Sequence, residues 1–204
     1  MLVYEFDGSE LNLLSAAFGI EPYGMFGTAV AMASDGNRLL VGAPGTPGES
    51  PGSVYYFEWD GTDWQLILPL PGTSETQNLG TSVAILDGVG DVIAMGGPNH
   101  DNGRGMIRVY RRQGGSFWGQ MGQDIVGEPG DNLGATLAAG PNNRVVAGTS
   151  DSFRAFEYDG QRNDWIRVGT GEPVLGSEVT SVASSINGDI AVGTADESVS
   201  VYGL

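Results

Sequence analysis

The feature that most constrains this chain is an internal repeat of about fifty residues. Each repeat opens with an apolar residue followed by a small one, then runs through a small-residue strand, a tight turn, an aliphatic strand and an aromatic strand. The opening pairs are Phe26-Gly27, Leu79-Gly80, Leu133-Gly134 and Val179-Thr180, whose second residues are spaced by 53, 54 and 46 residues. A fixed period of this size predicts one supersecondary unit that is stacked several times.

Turn and strand patterns predict four antiparallel strands in each repeat. In the first repeat, Asp35-Gly36 and Asp60-Gly61 supply the positive φ angles that tight turns need. The strands predicted around these turns are 28–34, 38–41, 53–59 and 63–68. The next two repeats follow the same pattern, and no stretch has sustained helical periodicity. The chain is therefore predicted to be all-β.

Side-chain size predicts how the repeats are arranged. The first strands are rich in Ala, Ser, Thr and Gly, whereas the third and fourth strands carry aromatic residues such as Tyr55, Trp64 and Trp118. This gradient suits a β-propeller, whose blades crowd together at the axis and diverge outward. We predict a single β-propeller domain over 1–204, or a fragment of a larger propeller, built of four-stranded antiparallel blades. The repeat units are approximately 26–78, 79–132, 133–178, and 179–204 together with 1–25.

The last of these units is predicted to be a blade split between the termini. The C-terminal residues supply three strands and the N-terminal residues supply two, at 2–6 and 10–14. Pairing them would close a ring and remove open sheet edges. Because the third strand is then present twice, three alternatives stay open: one copy is displaced, the blade has an extra strand, or the chain is a piece of a longer array.

The first repeat, with Phe26-Gly27 and Gly42-Ala43-Pro44, resembles the FG-GAP repeat, the blade unit of the integrin α-subunit β-propeller. The second repeat is similar through the segment 130–134 and its Arg108-Val109-Tyr110 strand. The resemblance implies an extracellular, adhesion-type propeller. Many FG-GAP blades bind calcium in the first hairpin, but the corresponding turns here offer at most two carboxylates, as at Asp87 and Asp91. No metal site and no cofactor are therefore predicted.

The charge of the chain restricts its partners. It has 25 acidic residues, nine arginines and no lysine, for a net charge of −16. Such a surface repels nucleic acid and anionic lipid, so neither a nucleic-acid partner nor membrane insertion is predicted. The chain has no cysteine, and it contains no long apolar run of transmembrane type.

The candidate ligand-binding residues lie in two loops of the second repeat. His100 and Asp101 follow its second strand, and Glu128 and Asp131 precede the third repeat. In a four-stranded blade these two kinds of loop lie on the same face. No Ser or Cys motif of a nucleophile accompanies them, so no catalytic residue is predicted.

Three functions are compatible with this sequence. The preferred one is a non-enzymatic binding or adhesion module, extracellular or at the cell surface, which recognises a protein or a glycan through loops on one propeller face. The first alternative is a carbohydrate-active propeller enzyme that uses paired loop carboxylates. The second alternative is a structural spacer within a larger surface protein. The oligomeric state stays open.

Overall fold

A computed structural model of the chain describes residues 2–16, 24–46, 49–73, 77–169 and 175–203, and these residues form an all-β fold. The strands are β1 (Leu2–Phe6), β2 (Leu11–Ala16), β3 (Ala29–Met32), β4 (Arg38–Ala43), β5 (Ser53–Trp59), β6 (Trp64–Pro71), β7 (Ser82–Ile85), β8 (Val92–Gly97), β9 (Met106–Gly114), β10 (Phe117–Gln120), β11 (Ile125–Val126), β12 (Leu137–Ala139), β13 (Val145–Gly148), β14 (Phe153–Asp159), β15 (Asp164–Val168), β16 (Val179–Ser184), β17 (Ile190–Thr194) and β18 (Val199–Tyr202). The described helical turns are α1 (His100–Gly103) and a 3₁₀ turn at Pro141–Asn143. No helix among the described residues is long and apolar enough to cross a membrane.

The strands form antiparallel sheets in which each strand pairs with its neighbour in sequence. Strands β3–β6 make the first sheet, β7–β10 the second, β12–β15 the third and β16–β18 the fourth. The short strand β11 also pairs with β9 in the second sheet, which the sequence did not predict. Strands β1 and β2 form a separate N-terminal hairpin. The predicted four-strand repeat is thus present in the first three sheets.

Successive sheets approach each other most closely at their first strands. Strand β3 contacts β7, β7 contacts β12, and β12 contacts β16. Glycine makes this approach possible, because a Cβ on Gly42 would lie 2.0 Å from the carbonyl oxygen of Gly80. One sheet further on, a Cβ on Gly96 would lie 2.1 Å from the carbonyl oxygen of Gly134. Glycines on the second strands β4 and β8 are therefore required by close backbone contacts between sheets.

Apolar side chains fill the spaces between the sheets. Leu40 and Tyr56 of the first sheet pack with Ile93 and Met95 of the second, and all four are fully buried. A second cluster joins the second and third sheets, and a third cluster joins the third and fourth sheets. The core is thus a series of layers between sheets.

The predicted pairing of the two termini in one blade is wrong for the described residues. Strands β1 and β2 pair only with each other, and β18 pairs only with β17. Instead, the buried Val3 of β1 packs with Leu39 and Phe57 on the outer face of the first sheet. The hydroxyl of Ser15 also donates a hydrogen bond to Asp63 over 2.8 Å. The reason is local: the apolar face of the hairpin meets an uncovered apolar face of the sheet that follows it in sequence.

Candidate functional site

The two loops that carry the predicted ligand-binding residues lie side by side. The backbone N–H of Asn132 donates to the carbonyl oxygen of Gly103 over 2.8 Å, and that of Leu133 donates to Arg104 over 3.1 Å. The structure therefore brings the His100–Asp101 loop and the Glu128–Asp131 loop together at one end of the second and third sheets.

Within this pair of loops, the carboxylates of Asp101 and Asp131 are occupied by contacts to the protein. Asp131 is buried, accepts a hydrogen bond from the backbone N–H of Glu128, and forms an ion pair with Arg154 of the third sheet. Asp101 is exposed and lies 3.4 Å from Arg104. His100 is half-buried, with a buried Nδ1 that has no hydrogen-bond partner, and Glu128 is exposed. Asp101 and Asp131 therefore fix the two loops, which leaves Glu128 as the carboxylate open to a ligand.

The turn at 87–91 is the one that most resembles a calcium-binding loop. Its Asp87 carboxylate accepts hydrogen bonds from backbone N–H groups of the same turn. One carboxylate oxygen of Asp87 accepts from the N–H groups of Val89 and Gly90 at 3.2 and 2.8 Å, and the other accepts from Asp91 at 3.0 Å. Across the described ranges, no group of three or more His, Cys, Asp or Glu side chains is placed to hold a metal ion.

A polar cleft lies at the opposite end of the strands. This Trp59 cleft has a volume of about 480 Å³. It is lined by Asp35, Asn37, Arg38, Glu58, Trp59, Asp60, Gly61 and Arg112. Two of its segments are the tight turns at 35–37 and 60–63, which the sequence predicts only as turns.

The register of the first sheet places the side chains of the Trp59 cleft. Arg38 on β4 lies directly opposite Glu58 on β5, and its Nε is 3.3 Å from the Glu58 carboxylate. Trp59 lies opposite Trp64 on β6, with the two ring centroids 5.7 Å apart. Arg112 reaches from β9 of the second sheet to the same Glu58 carboxylate. The cleft therefore spans the boundary between the first two sheets.

Two carboxylates of this cleft are held in their ionised forms. Burial opposes ionisation of Glu58, but the hydrogen bonds and charges of Arg112 and Arg38 outweigh it and lower the pKa of Glu58. Asp60 accepts hydrogen bonds from the backbone N–H of Asp63 and from the hydroxyl and N–H of Thr62, which lower its pKa to about 2. The cleft therefore presents fixed charges of both signs around an aromatic ring.

A second cleft of about 310 Å³ adjoins the first. The two share Asp35, Asn37 and Trp59, and the second continues to Tyr4 and Leu14 of the N-terminal hairpin. Trp59 thus lies between two neighbouring depressions. Sequence patterns do not predict this site, because Arg112, which helps to line it, is 54 residues away from Glu58 along the chain. The available signal was a tryptophan directly before the Asp60-Gly61 turn.

Comparison with known proteins supports the fold and gives no family. No family model matches the chain. No curated protein matches it. Among solved structures, the chain is similar to a functionally unknown protein from Desulfotomaculum acetoxidans DSM 771, with a TM-score of 0.61 and 11% sequence identity. That match covers 98% of this chain, whereas this chain spans 61% of the other protein.

Proposed function

We propose that this protein is a non-enzymatic binding module that takes a glycan ligand in the Trp59 cleft. The observation that carries the proposal is the position of Trp59 between two adjoining clefts that share Asp35 and Asn37. Ligand sites in proteins combine an apolar surface with a few convergent polar groups, and this cleft has both.

The chemistry of the Trp59 cleft suits a carbohydrate. The apolar C–H face of a sugar ring stacks on an indole, and sugar hydroxyls donate hydrogen bonds to carboxylate and amide oxygens. Here the ring of Trp59 is half-buried against Trp64, and the charged groups of Arg38, Glu58 and Arg112 already hold each other in place. Groups that are ordered before binding lose little conformational entropy on binding, which favours affinity.

The ionisation of the cleft favours binding over hydrolysis. A glycosidase needs one carboxylic acid that stays protonated near neutral pH in order to protonate the leaving group. The pKa values of Glu58 and Asp60 are instead lowered, Glu58 by its two arginine partners and Asp60 by turn N–H groups. Both carboxylates are therefore acceptors for ligand hydroxyls rather than proton donors.

The architecture that we propose for this module is a β-propeller of FG-GAP-like blades. Three observations support it: the blades are antiparallel sheets in chain order, their first strands contact one another in a row, and the opening pair of the first three repeats ends in a glycine with φ near +90°. We further propose an extracellular or cell-surface location, for which the net charge of −16 is the support from the sequence.

A glycan-binding screen followed by calorimetry tests the proposed function. Wild-type protein should bind a subset of neutral or basic glycans, and Trp59→Ala should weaken the binding at least about tenfold because the stacking surface is lost. Trp59→Phe, which keeps a ring, should retain part of the affinity. Phe117→Ala is the matched control, since Phe117 is an aromatic residue that is 66% exposed and does not line the cleft.

The same samples distinguish the alternatives. Release of new reducing ends by the wild-type protein would contradict a binding role and favour a carbohydrate-active enzyme. A folded wild-type protein that binds no glycan and no protein would favour a structural spacer. Equal loss of binding in Trp59→Ala and Phe117→Ala would place the ligand outside the Trp59 cleft.

A further inference from the structure

The N-terminal hairpin repeats the register and the turn of strands β5 and β6 in the first sheet. Both ladders shift register at the same distance before a glutamate. Both close with an Asp-Gly turn whose aspartate accepts from two backbone N–H groups, a hydroxyl and an amide side chain. The matching residues are Val3, Glu5, Asp7 and Asn12 in the hairpin and Tyr56, Glu58, Asp60 and Gln65 in the sheet. The hairpin therefore corresponds to the third and fourth strands of a sheet.

The hairpin also packs as third and fourth strands do. Tyr56 packs on Trp118 of the next sheet, with ring centroids 4.9 Å apart, and its counterpart Val3 packs with the matching Trp64. In each of the first three sheets, a second strand pairs with the inner edge of the third strand: β4 with β5, β8 with β9, and β13 with β14. Among the described residues, β1 pairs only with β2, so its inner edge is open.

A groove of about 220 Å³ lies between β1 and β3. Val30 and Met32 of β3 line this groove and are 60% and 50% exposed. Their counterparts in the second sheet, Val83 and Ile85, are 7% and 8% exposed because the first sheet packs on them. The second strand β4 takes part in that packing, since it contacts β7. A strand paired with the inner edge of β1 would cover Val30 and Met32 in the same way.

Opposite charges face each other where the second strand begins in each of the first three sheets. The pairs are Arg38 with Glu58, Asp91 with Arg112, and Arg144 with Glu157. In the hairpin, the corresponding third-strand residue is Glu5. Glu5 is exposed and forms no ion pair with another described residue. A strand that pairs with β1 therefore needs a basic residue opposite Glu5.

The described strands of a second copy of this chain do not meet this need. Strands β4 and β13 follow an arginine of the required kind, but each is already paired on both edges. Strand β17 of the fourth sheet follows Asp189, which stands four residues before Gly193 as Arg38 stands four residues before Gly42. Asp189 would face Glu5 with the same charge, and like charges directly opposite each other are destabilising.

We infer that the inner edge of β1 binds an extended segment of a partner protein, antiparallel to β1, with a basic residue opposite Glu5 and aliphatic residues after it. When a strand is added to a sheet edge, main-chain hydrogen bonds supply affinity and side-chain pockets supply specificity. The groove and the Trp59 cleft share no lining residue, so the inference does not depend on the glycan ligand.

Fluorescence anisotropy with a labelled synthetic peptide tests this site. The peptide has the sequence of residues 37–44, which contains a second strand with its arginine. Wild-type protein should bind it with a Kd below about 1 mM. The same peptide with Arg38→Glu should bind about fivefold more weakly or worse, because attraction to Glu5 becomes repulsion. The protein variant Glu5→Arg should reverse this preference. Glu178→Arg, at an exposed position outside the groove, changes the net charge equally and should leave the preference unchanged.

A second pair of variants tests the apolar side of the groove. Met32→Ser should weaken binding of the wild-type peptide at least about fivefold, since it removes apolar surface that the added strand covers. Ile186→Ser is the matched control, because Ile186 is 90% exposed on the fourth sheet, and it should bind as the wild type does. Hydrogen exchange at the amides of Leu2–Phe6 should slow when the peptide binds. All four variants change exposed residues, and circular dichroism checks their folding.

Three results would overturn the inference. The first is no binding of the peptide by folded wild-type protein up to about 1 mM. The second is equal affinity for the arginine and glutamate peptides, or a Glu5→Arg variant that keeps the wild-type preference. The third is a wild-type dimer in sedimentation velocity that Met32→Ser dissociates, which would assign the groove to a second copy of this chain.

Discussion

The second and fourth sheets share a strand order and a register, yet they differ in burial. All residues of β7 and β8 are buried, whereas β16 and β18 alternate between covered and exposed positions. The second sheet has a neighbour on each face, and the fourth has a described neighbour only on the side of the third. The same repeat unit can therefore form an inner or an outer layer. A substitution should lower the free energy of unfolding more in the inner second sheet than in the outer fourth sheet.

The turns that open the sheets differ in the same way. Asn78 and Asn132 have left-handed φ values of +49° and +51°, and each stands two residues before a glycine that approaches the previous sheet. The fourth sheet opens with Glu178-Val179-Thr180, and the ladder between β16 and β17 shifts register between Val179 and Ser181. Here a side chain replaces the backbone contact, since a Cβ on Gly148 would lie 2.8 Å from Val179.

The largest expected difference is between two glycines at the same register position, Gly96 in the second sheet and Gly193 in the fourth. Gly96→Ala should lower the free energy of unfolding by about 3 kcal/mol or more, because its Cβ would collide with the Gly134 backbone. Gly193→Ala should change it by less than about 1 kcal/mol, because the new methyl group would collide only with the hydroxyl of Ser181, which can rotate, and would make an ordinary contact with that of Thr180. Urea titrations of both variants measure the difference. Equal losses would show that the fourth sheet is packed as tightly as the second.

The second largest effect is expected in the turn that opens each sheet. Asn78→Ala should cost about 2 kcal/mol, because alanine disfavours left-handed φ and because the side chain donates to the carbonyl oxygens of Pro44 and Gly45 at 2.9 and 3.2 Å. The corresponding Glu178→Ala in the fourth sheet should change stability by less than about 0.5 kcal/mol, since Glu178 is exposed. Thermal unfolding at low protein concentration compares the two variants. A large loss for Glu178→Ala would contradict the distinction between the turns.

Side-chain burial gives a third pair of variants. Val109 is 1% exposed, and its counterpart Val201 is 71% exposed. Val109→Ala should lower the free energy of unfolding by about 2 kcal/mol through lost apolar contact and a cavity, and Val201→Ala by less than about 0.5 kcal/mol. The measurement is made on dilute protein so that association does not contribute. Similar losses would mean that another part of the chain covers Val201.

The smallest effect concerns the ion pairs between the first two sheets. Because the pKa of Glu58 is lowered in the folded state, its stabilisation is present above its unfolded pKa of about 4.3 and is lost as pH falls through the folded value. Glu58→Gln should lower the free energy of unfolding by about 1 kcal/mol at neutral pH, and should not change it once the wild-type carboxyl is protonated. Unfolding curves from pH 7 to acid test this. A cost that stays constant with pH would assign the loss to packing rather than charge.

Sequence patterns predicted the strands well where turn chemistry bounded them. Strand β5 was predicted to the residue, because an Asp-Gly turn marks its end. The position of the N-terminal hairpin was predicted wrongly, since its apolar face fits a sheet face in general and does not specify which sheet.

The candidate site was predicted only in part. The loops of His100 and Asp131 do lie together, but their carboxylates are taken up by Arg104 and Arg154. The sequence could not show this pairing, because ion pairs depend on separations in space that sequence spacing does not give. The Trp59 cleft needs Arg112 from the neighbouring sheet, so it exists only after two sheets have packed.

The sequence by itself determined the repeat, the antiparallel strands and the positions where sheets must approach closely, because period-two patterns, turn residues and glycines act over a few residues. The tertiary structure decided which faces are covered, where the hairpin packs and which charges pair. Those properties depend on surfaces that meet across fifty residues or more, and similar apolar faces on every repeat leave several arrangements open until the layers assemble.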